Sequence, residues 1–201
     1  MPKINQPIPP RNFEVARDRI AAILADELPN QYVLNNISGA PGKIWIGRTV
    51  PFDDSEVPAI SISVSRGDLS AKDARITENL CLYYIDCFTK GADSQDSYGD
   101  TSSNNELSRM MGLIQAILDN PVYRNLDMPK PFVCTTSTEA LRYMEPDAES
   151  DIQFTSFGRV EFTVRVPEFN VIQNPTGVVL AGTQVKLHQT DKGYYYEVAV
   201  K

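Results

Sequence analysis

The segment Arg48-Thr-Val-Pro-Phe-Asp-Asp-Ser-Glu-Val-Pro-Ala-Ile-Ser-Ile-Ser-Val-Ser65 contains the clearest structural pattern in the chain. Its second half alternates isoleucine and valine with serine, which is the two-residue period of a strand with one buried face. Pro58 suits the start of such a strand because proline cannot donate to a sheet ladder. The first half is acidic and rich in turn-forming residues, so we predict a mobile loop that enters a buried strand.

Two further runs on either side of this segment also predict strands. Lys43 to Val50 alternates around Ile44 and Ile46, and it follows a turn rich in glycine and proline. Glu78 to Thr89 has large apolar residues at both odd and even positions. A strand that is apolar on both sides belongs in the centre of a sheet.

Helical periodicity occurs twice in the sequence. The first helix is predicted from Asn12, its expected N-cap, to Leu28, and Pro29 is expected to end it. The second is predicted from about Asn105 to Leu118. The apolar stripes comprise Phe13, Ala16, Ile20, Ile23, Leu24 and Leu28 in the first helix, and Leu107, Met110, Met111, Ile114, Ile117 and Leu118 in the second.

The remaining segments predict one exposed loop and two hairpins. Residues 90–105 are too polar and too rich in turn-formers to pack, so they are predicted to be an exposed loop. A strand around Thr138 to Met144, an acidic turn, and a strand from Gln153 to Val166 form a long hairpin. Two shorter runs, Gly177 to Leu187 and Tyr194 to Val200, predict a terminal hairpin.

Together these elements predict an α+β fold. A mixed or antiparallel β-sheet is packed by two main helices, with a long β-hairpin and a C-terminal β-hairpin extension. We assign residues 1–170 to the core and 171–201 to the extension.

Composition excludes several classes of protein. The chain has 201 residues, a formal net charge of -7 and a pI near 4.8. An acidic protein does not suit binding to the outside of a nucleic acid, where lysine and arginine must replace counterions. No apolar run has the length of a signal peptide or of a membrane span, so we expect no membrane partner. Cys81 and Cys87 stand about 20 Å apart along one extended run, so buried reduced thiols are expected rather than a disulfide.

The ionisable residues do not form a recognisable catalytic or metal-binding pattern. His188 is the only histidine, and it lacks the spaced cysteine or histidine partners of a zinc site. We therefore predict no catalytic residue, no metal and no cofactor. Three acidic clusters fall in predicted loops, and we interpret them as solvated or channel-facing surfaces. These clusters are Asp53, Asp54 and Glu56; Asp93, Asp96 and Asp100; and Asp147, Glu149 and Asp151.

The order of elements, with Pro58-Ala-Ile-Ser-Ile-Ser-Val64 after an acidic loop, resembles the tail-terminator and head-to-tail joining proteins of tailed bacteriophages. The resemblance covers about residues 11–167. It implies a small α+β subunit that closes into a ring, commonly a hexamer, that caps the tail tube and meets the head connector. The loop before the second helix and the terminal hairpin depart from the smallest members, so terminator, collar and gateway positions all stay open.

From this resemblance we expect a non-enzymatic structural protein of the virion neck, made in the host cytoplasm. Its expected partners are further copies of itself, the tail tube protein and a head-to-tail connector or adaptor protein, with the tail sheath as a further candidate. DNA would pass through the channel without specific binding. The candidate interface or channel residues are Asp53, Asp54, Glu56, Tyr98, Asp147, Glu149, Asp151, Tyr194, Tyr195 and Tyr196.

Two alternatives belong to different functional classes. One is a metal-dependent hydrolase that uses an acidic loop cluster. The other is a monomeric adaptor that presents its C-terminal hairpin to a partner by strand addition.

Overall fold

The computed structural model of the protein describes residues 7–48, 52–71, 76–91, 99–128, 132, 135–144, 155–169, 183–190 and 193–200. By their contacts these residues divide between a larger unit, within Pro9–Asn170, and a smaller unit that contains the C-terminal strands. Each unit is described by itself.

The larger unit contains two helices and five strands. In chain order these are α1 (Asn12–Leu34), β1 (Lys43–Ile46), β2 (Ala59–Ala71), β3 (Ile76–Lys90), α2 (Gly99–Leu118), β4 (Thr135–Met144) and β5 (Thr155–Phe169), with short 3-10 turns at Asp54–Glu56 and Pro121–Tyr123. The predicted α+β class is confirmed.

The five strands form one mixed sheet in the order β1-β2-β3-β5-β4. Only the β1–β2 pair is parallel, and the other three pairs are antiparallel. Strand β3 lies at the centre, as its two-sided apolar pattern predicted. The long hairpin predicted from residues 138–166 is present as β4 and β5.

Both helices pack on one face of the sheet, and the core lies between them and the inward-facing residues of the strands. Tyr83 and Phe162 are the largest fully buried side chains of the sheet. Every apolar position predicted for the second helix is buried, and so are all but Phe13 in the first. The apolar stripes of both helices therefore pack against the sheet, as amphipathic helices require.

The sequence predicts that helix α1 ends before Pro29, but in the structure the helix continues to Leu34. Tyr32 lies one turn beyond Leu28, and both side chains are buried in the core. Burying an aromatic side chain contributes about 2 kcal/mol of stability. This offsets much of the free-energy cost of a proline inside a helix, where one backbone hydrogen bond is lost. Tertiary packing thus stabilises helical structure beyond a proline, at which a helix ordinarily ends.

The start of α1 also differs from the prediction, because Asn12 lies inside the helix rather than at its N-cap. The carboxylate of Glu168 accepts hydrogen bonds from the backbone N–H groups of Asn12, at 3.1 Å, and Phe13, at 2.9 Å. The Asn12 amide donates to the carbonyl of Pro167. A side chain from the distant strand β5 therefore caps this helix.

Helix α2 begins at Gly99, six residues before the predicted start, so the predicted loop over residues 90–105 is wrong in its last part. Ser103 is fully buried there. Its carbonyl accepts a hydrogen bond from the Thr89 hydroxyl at 2.7 Å, and its own hydroxyl bonds that of Ser156 at 2.8 Å. These contacts with the sheet stabilise a polar first turn whose sequence pattern favours a loop.

Several strand ends differ from the predicted ones. Strand β1 ends at Ile46, because Gly47 has a φ of +63° that leaves the extended region. Thr49 and Val50, the last residues of the predicted strand, lie outside the described residues. Strand β2 runs on to Ala71 past a register shift after Val64. Strand β5 extends through Pro167, which lies opposite Glu78.

The smaller unit contains an antiparallel pair of strands, β6 (Thr183–Thr190) and β7 (Gly193–Val200). The first part of the predicted strand from Gly177 lies outside the described residues. Among the described strands, β6 and β7 form a sheet of their own, separate from the five-stranded one.

Candidate assembly surface

Neither described helix packs on the second face of the five-stranded sheet, since both lie on the other face. This second face is called the open face. Residues on this face alternate with the buried ones, and most are half-exposed rather than fully exposed. On the central strands they include Leu82, Tyr84 and Phe88 of β3, and Phe157 and Arg159 of β5. Aromatic and charged side chains therefore share a face that a solvated sheet would fill mainly with polar residues.

Ion pairs run across the middle of this open face. Arg159 donates to both carboxylate oxygens of Asp86, at 2.6 and 3.0 Å, and its guanidinium lies 3.9 Å from the centre of the Tyr84 ring. The bond to Asp86 raises the pKa of Arg159. Beside this pair, Arg142 of β4 donates to Glu161 at 2.5 Å. The bidentate geometry of the first pair holds two strands in one fixed arrangement.

A row of aromatic rings crosses one end of the open face. Phe88 and Phe157 stack with centroids 4.6 Å apart, Phe52 lies 4.9 Å from Phe88, and Trp45 lies 6.2 Å from Phe52. Phe52 is buried, although it precedes the acidic turn. This turn is therefore anchored to the sheet by an aromatic side chain, in contrast to the mobile loop that the sequence predicts.

Arg48 organises the acidic turn. Its guanidinium donates to both oxygens of Glu56, at 2.8 and 2.6 Å, and lies over the rings of Trp45 and Phe52 at 4.6 and 4.4 Å. Glu56 also accepts from the backbone N–H of Asp53 at 3.0 Å. The hydrogen bond from Arg48 is the main reason that the pKa of Glu56 is lowered. Glu56 therefore serves first to hold the turn.

The structure brings only part of the predicted contact set together. Asp53 is exposed and lies directly before the 3-10 turn, which contains the backbone of Asp54. Tyr98, Asp147, Glu149 and Asp151 lie outside the described residues. The backbones of Tyr194, Tyr195 and Tyr196 lie in β7, opposite Gln189, His188 and Leu187. Their role in contacts with a partner stays a prediction.

Strand β1 forms one edge of the sheet, and a groove runs beside it. The groove has a volume of about 280 Å³ and is lined by Leu24, Ala25, Leu28, Pro29, Pro41, Gly42, Lys43 and Ile44. Ile46, on the same side of β1 as Ile44, is 47 % exposed. The edge therefore combines an exposed apolar residue with an apolar depression between the strand and α1.

Strand β4 forms the opposite edge. A register shift between Thr138 and Ala140 leaves Glu139 without a direct partner on β5, so the regular pairing resumes at Ala140 and continues to Met144. On the helix side of this stretch, the large apolar side chains of Leu141 and Tyr143 are both exposed, and Tyr143 is 55 % exposed. Exposed aromatic residues at a strand edge are typical of protein contacts.

The described part of the chain offers no cluster of side chains with which to bind a metal ion. It contains no group of three or more histidine, cysteine, aspartate or glutamate side chains that could hold a metal ion. Cys81 and Cys87 are both buried and free, as predicted. Burial raises the pKa of Cys81 to about 11, so this thiol stays protonated and unreactive at neutral pH.

Neither described helix is both long and apolar enough to cross a membrane.

Comparison with protein-family models and with curated proteins gave no match to this chain.

Sequence reasoning missed the residues that organise this surface. Arg48 falls within the strand predicted over Lys43 to Val50, and no sequence pattern links it to Glu56, which stands eight residues later on the other side of a turn. Leu141 and Tyr143 alternate in the manner of a buried face, and no pattern in the sequence tells that β4 is an edge. Only the strand order identifies them as exposed.

Proposed function

We propose that this protein is a non-enzymatic structural component of the neck of a tailed bacteriophage. It would form a ring, most simply a hexamer, that caps the tail tube and joins the tail to the head connector. The order of elements on which the resemblance rests occurs in the larger unit, from α1 through the proline-led β2 to the closing strand β5. The proposal is supported chiefly by the edge strands β1 and β4, neither of which pairs with a further strand among the described residues.

Open edges support assembly because each one presents unpaired backbone N–H and C=O groups. The two edges differ in length and side chains, since β1 has four residues and β4 has ten. A contact between two different surfaces is heterologous, and copies joined in this way close into a ring when the rotation between them permits. A protein with two unlike open edges therefore suits a ring better than a two-fold dimer.

The acidic character of the chain agrees with a passage for DNA. A net charge of -7 disfavours a tight grip on phosphate groups, and exposed carboxylates such as Asp53 would keep the channel wall from binding DNA. In this proposal the protein is a virion component made in the host cytoplasm. Its partners are its own copies, the tail tube protein and the connector or adaptor, with the tail sheath as a further candidate.

The test is the solution mass of the full-length protein over a concentration series, measured by size exclusion coupled to light scattering. We expect a discrete multiple near six subunits, or assembly that begins when tail tube protein is added. A monomer at every concentration that also ignores tail tube protein would overturn the proposal.

The monomeric adaptor is a second candidate, and the self-contained β6–β7 pair is the observation that favours it. A variant that ends at residue 170 separates the two functions. A ring-forming protein should still assemble without the hairpin, whereas an adaptor should lose its partner and remain monomeric throughout.

A further inference from the structure

We propose that β4 of one subunit pairs antiparallel with β1 of the next, with Tyr143 entering the groove between β1 and α1. This inference rests on the proposed ring and names the contact that would close it. The occupant of the groove is therefore a second copy of this same chain.

The strand directions make such pairing possible. Strand β1 is parallel to β2, and each following pair in the order β1-β2-β3-β5-β4 is antiparallel. The two edge strands consequently run in opposite directions. When copies are related by rotation about an axis along the strands, β4 meets the next β1 antiparallel, and the helices of both copies stay on the same side.

Alternate residues of β1 form the backbone hydrogen bonds to β2. Lys43 donates to Pro58 at 3.2 Å and Gly47 donates to Ile62 at 2.8 Å. Because groups alternate along a parallel ladder, the N–H and C=O groups of Ile44 and Ile46 point away from β2. They are the groups that an added strand would bond.

The lengths and faces of the two edges allow one register. The regular stretch of β4 after its bulge, Ala140–Met144, has room for the four residues of β1. Apolar residues meet on the helix side only if Ile46 lies opposite Leu141 and Ile44 opposite Tyr143. Tyr143 then stands over the groove that Ile44 lines.

The charges of the two edges also favour this contact. Lys43 of β1 is exposed, with its ammonium 4.1 Å from the centre of the Trp45 ring. Glu139 of β4 is exposed and forms no ion pair among the described residues. Two edges of the same charge would repel each other.

Disulfide trapping tests the pairing directly. In a Cys134→Ser background, single variants Ile46→Cys and Leu141→Cys are oxidised alone, as a mixture and as the double variant. Opposite residues of paired strands meet the distance that a disulfide needs. We expect no cross-link from either single variant, a dimer from the mixture, and a ladder up to the closed ring from the double variant.

The matched control combines Ile46→Cys with Thr135→Cys. Thr135 lies at the other end of β4, about 20 Å from Leu141 along the strand, so it should not cross-link. Cross-linking of either single variant with itself would overturn the proposal, because it would show a two-fold contact. Equal cross-linking at residues 135 and 141 would overturn the register.

The two proposals fail in different ways. If light scattering shows a multimer but Ile46 and Leu141 do not cross-link, the pairing is wrong while the ring stands. If the protein is always monomeric, the ring itself fails.

A second variant tests the groove without cysteines. Tyr143→Ala should raise the concentration at which half of the protein is assembled by at least tenfold. Leu69→Ala is the control, because Leu69 is 68 % exposed but lies seven residues beyond Ile62, where the pairing of β2 with β1 ends. It should change that concentration less than twofold, and equal shifts for the two variants would overturn the role of Tyr143.

Discussion

Alternate residues of strand β5 meet two different environments. Towards the helices, Val160, Phe162 and Val164 are fully buried in a closed apolar core. Towards the open face, Phe157 and Arg159 are half-exposed among rings and ion pairs. The helix side therefore supplies most of the stability of one subunit, and the open side and the edges remain available for contacts with other molecules.

The largest expected effect breaks this contrast at its centre. Phe162→Ala should lower the free energy of unfolding by about 4 kcal/mol, because it removes a fully buried ring and leaves a cavity. Phe157→Ala, on the open face of the same strand, should cost about 1 kcal/mol. Denaturant unfolding measures both. Equal losses would show that the open face stabilises the subunit as strongly as the core.

A charged residue on the helix side should also matter more than a charged residue in solvent. Glu168→Ala removes the carboxylate that caps α1 and leaves buried N–H groups unpaired, so we expect a loss of about 2 kcal/mol. The control is Asp18→Ala, which breaks an exposed pair with Arg17 and should change stability by less than about 0.5 kcal/mol. Thermal unfolding at low salt compares them.

On the open side, Arg48→Met should lower the stability of the fold much less than Glu168→Ala, because the Glu56 pair is partly solvated. The pKa of Glu56 is lowered in the folded protein, so the pair stabilises the fold above the unfolded pKa and loses this effect as pH falls through the folded value. In Arg48→Met the pKa of Glu56 should rise. An NMR titration of its carboxyl group measures this, with Arg66→Met as the control at an exposed pair.

The smallest effect sharpens the contrast from within the core. Burial raises the pKa of Cys81 to about 11, and burial also raises the pKa of Cys87. Both folded thiols stay neutral while unfolded thiols ionise near pH 8.5, so their contribution to stability is complete well below that pH and falls as the pH rises through it.

Between pH 7 and 8.5 this loss should be about 0.4 kcal/mol for each thiol. Urea unfolding at the two pH values measures it, and a Cys81→Ala, Cys87→Ala variant should show a flatter dependence. If the double variant kept the full slope, the buried thiols would not be its source.

Much of the fold could be predicted because local patterns and the core agree. The stripe from Leu107 to Leu118 and the two-sided apolar run of β3 each required a burial that the structure provides. Their periods of 3.6 and 2 residues are properties of the backbone and need no knowledge of neighbours.

The candidate site was predicted less well, because it depends on strand order and on distant contacts. In the sequence Asp53 and Glu56 stand out by their charge, but in the structure Arg48 pairs with Glu56 and Phe52 anchors the turn to the sheet. The exposed Tyr143 has the sequence pattern of a buried residue, and only its place on an edge strand changes that interpretation.

By itself, the sequence determined the α+β class, the apolar stripes of both helices, the central position of β3 and the reduced state of Cys81 and Cys87. These follow from periodicity and spacing, which are local. The tertiary structure alone decided that α1 passes through Pro29, that Glu168 caps it, and that β1 and β4 are the open edges. Each of these features depends on contacts between residues far apart in the chain, and local sequence patterns do not contain those contacts.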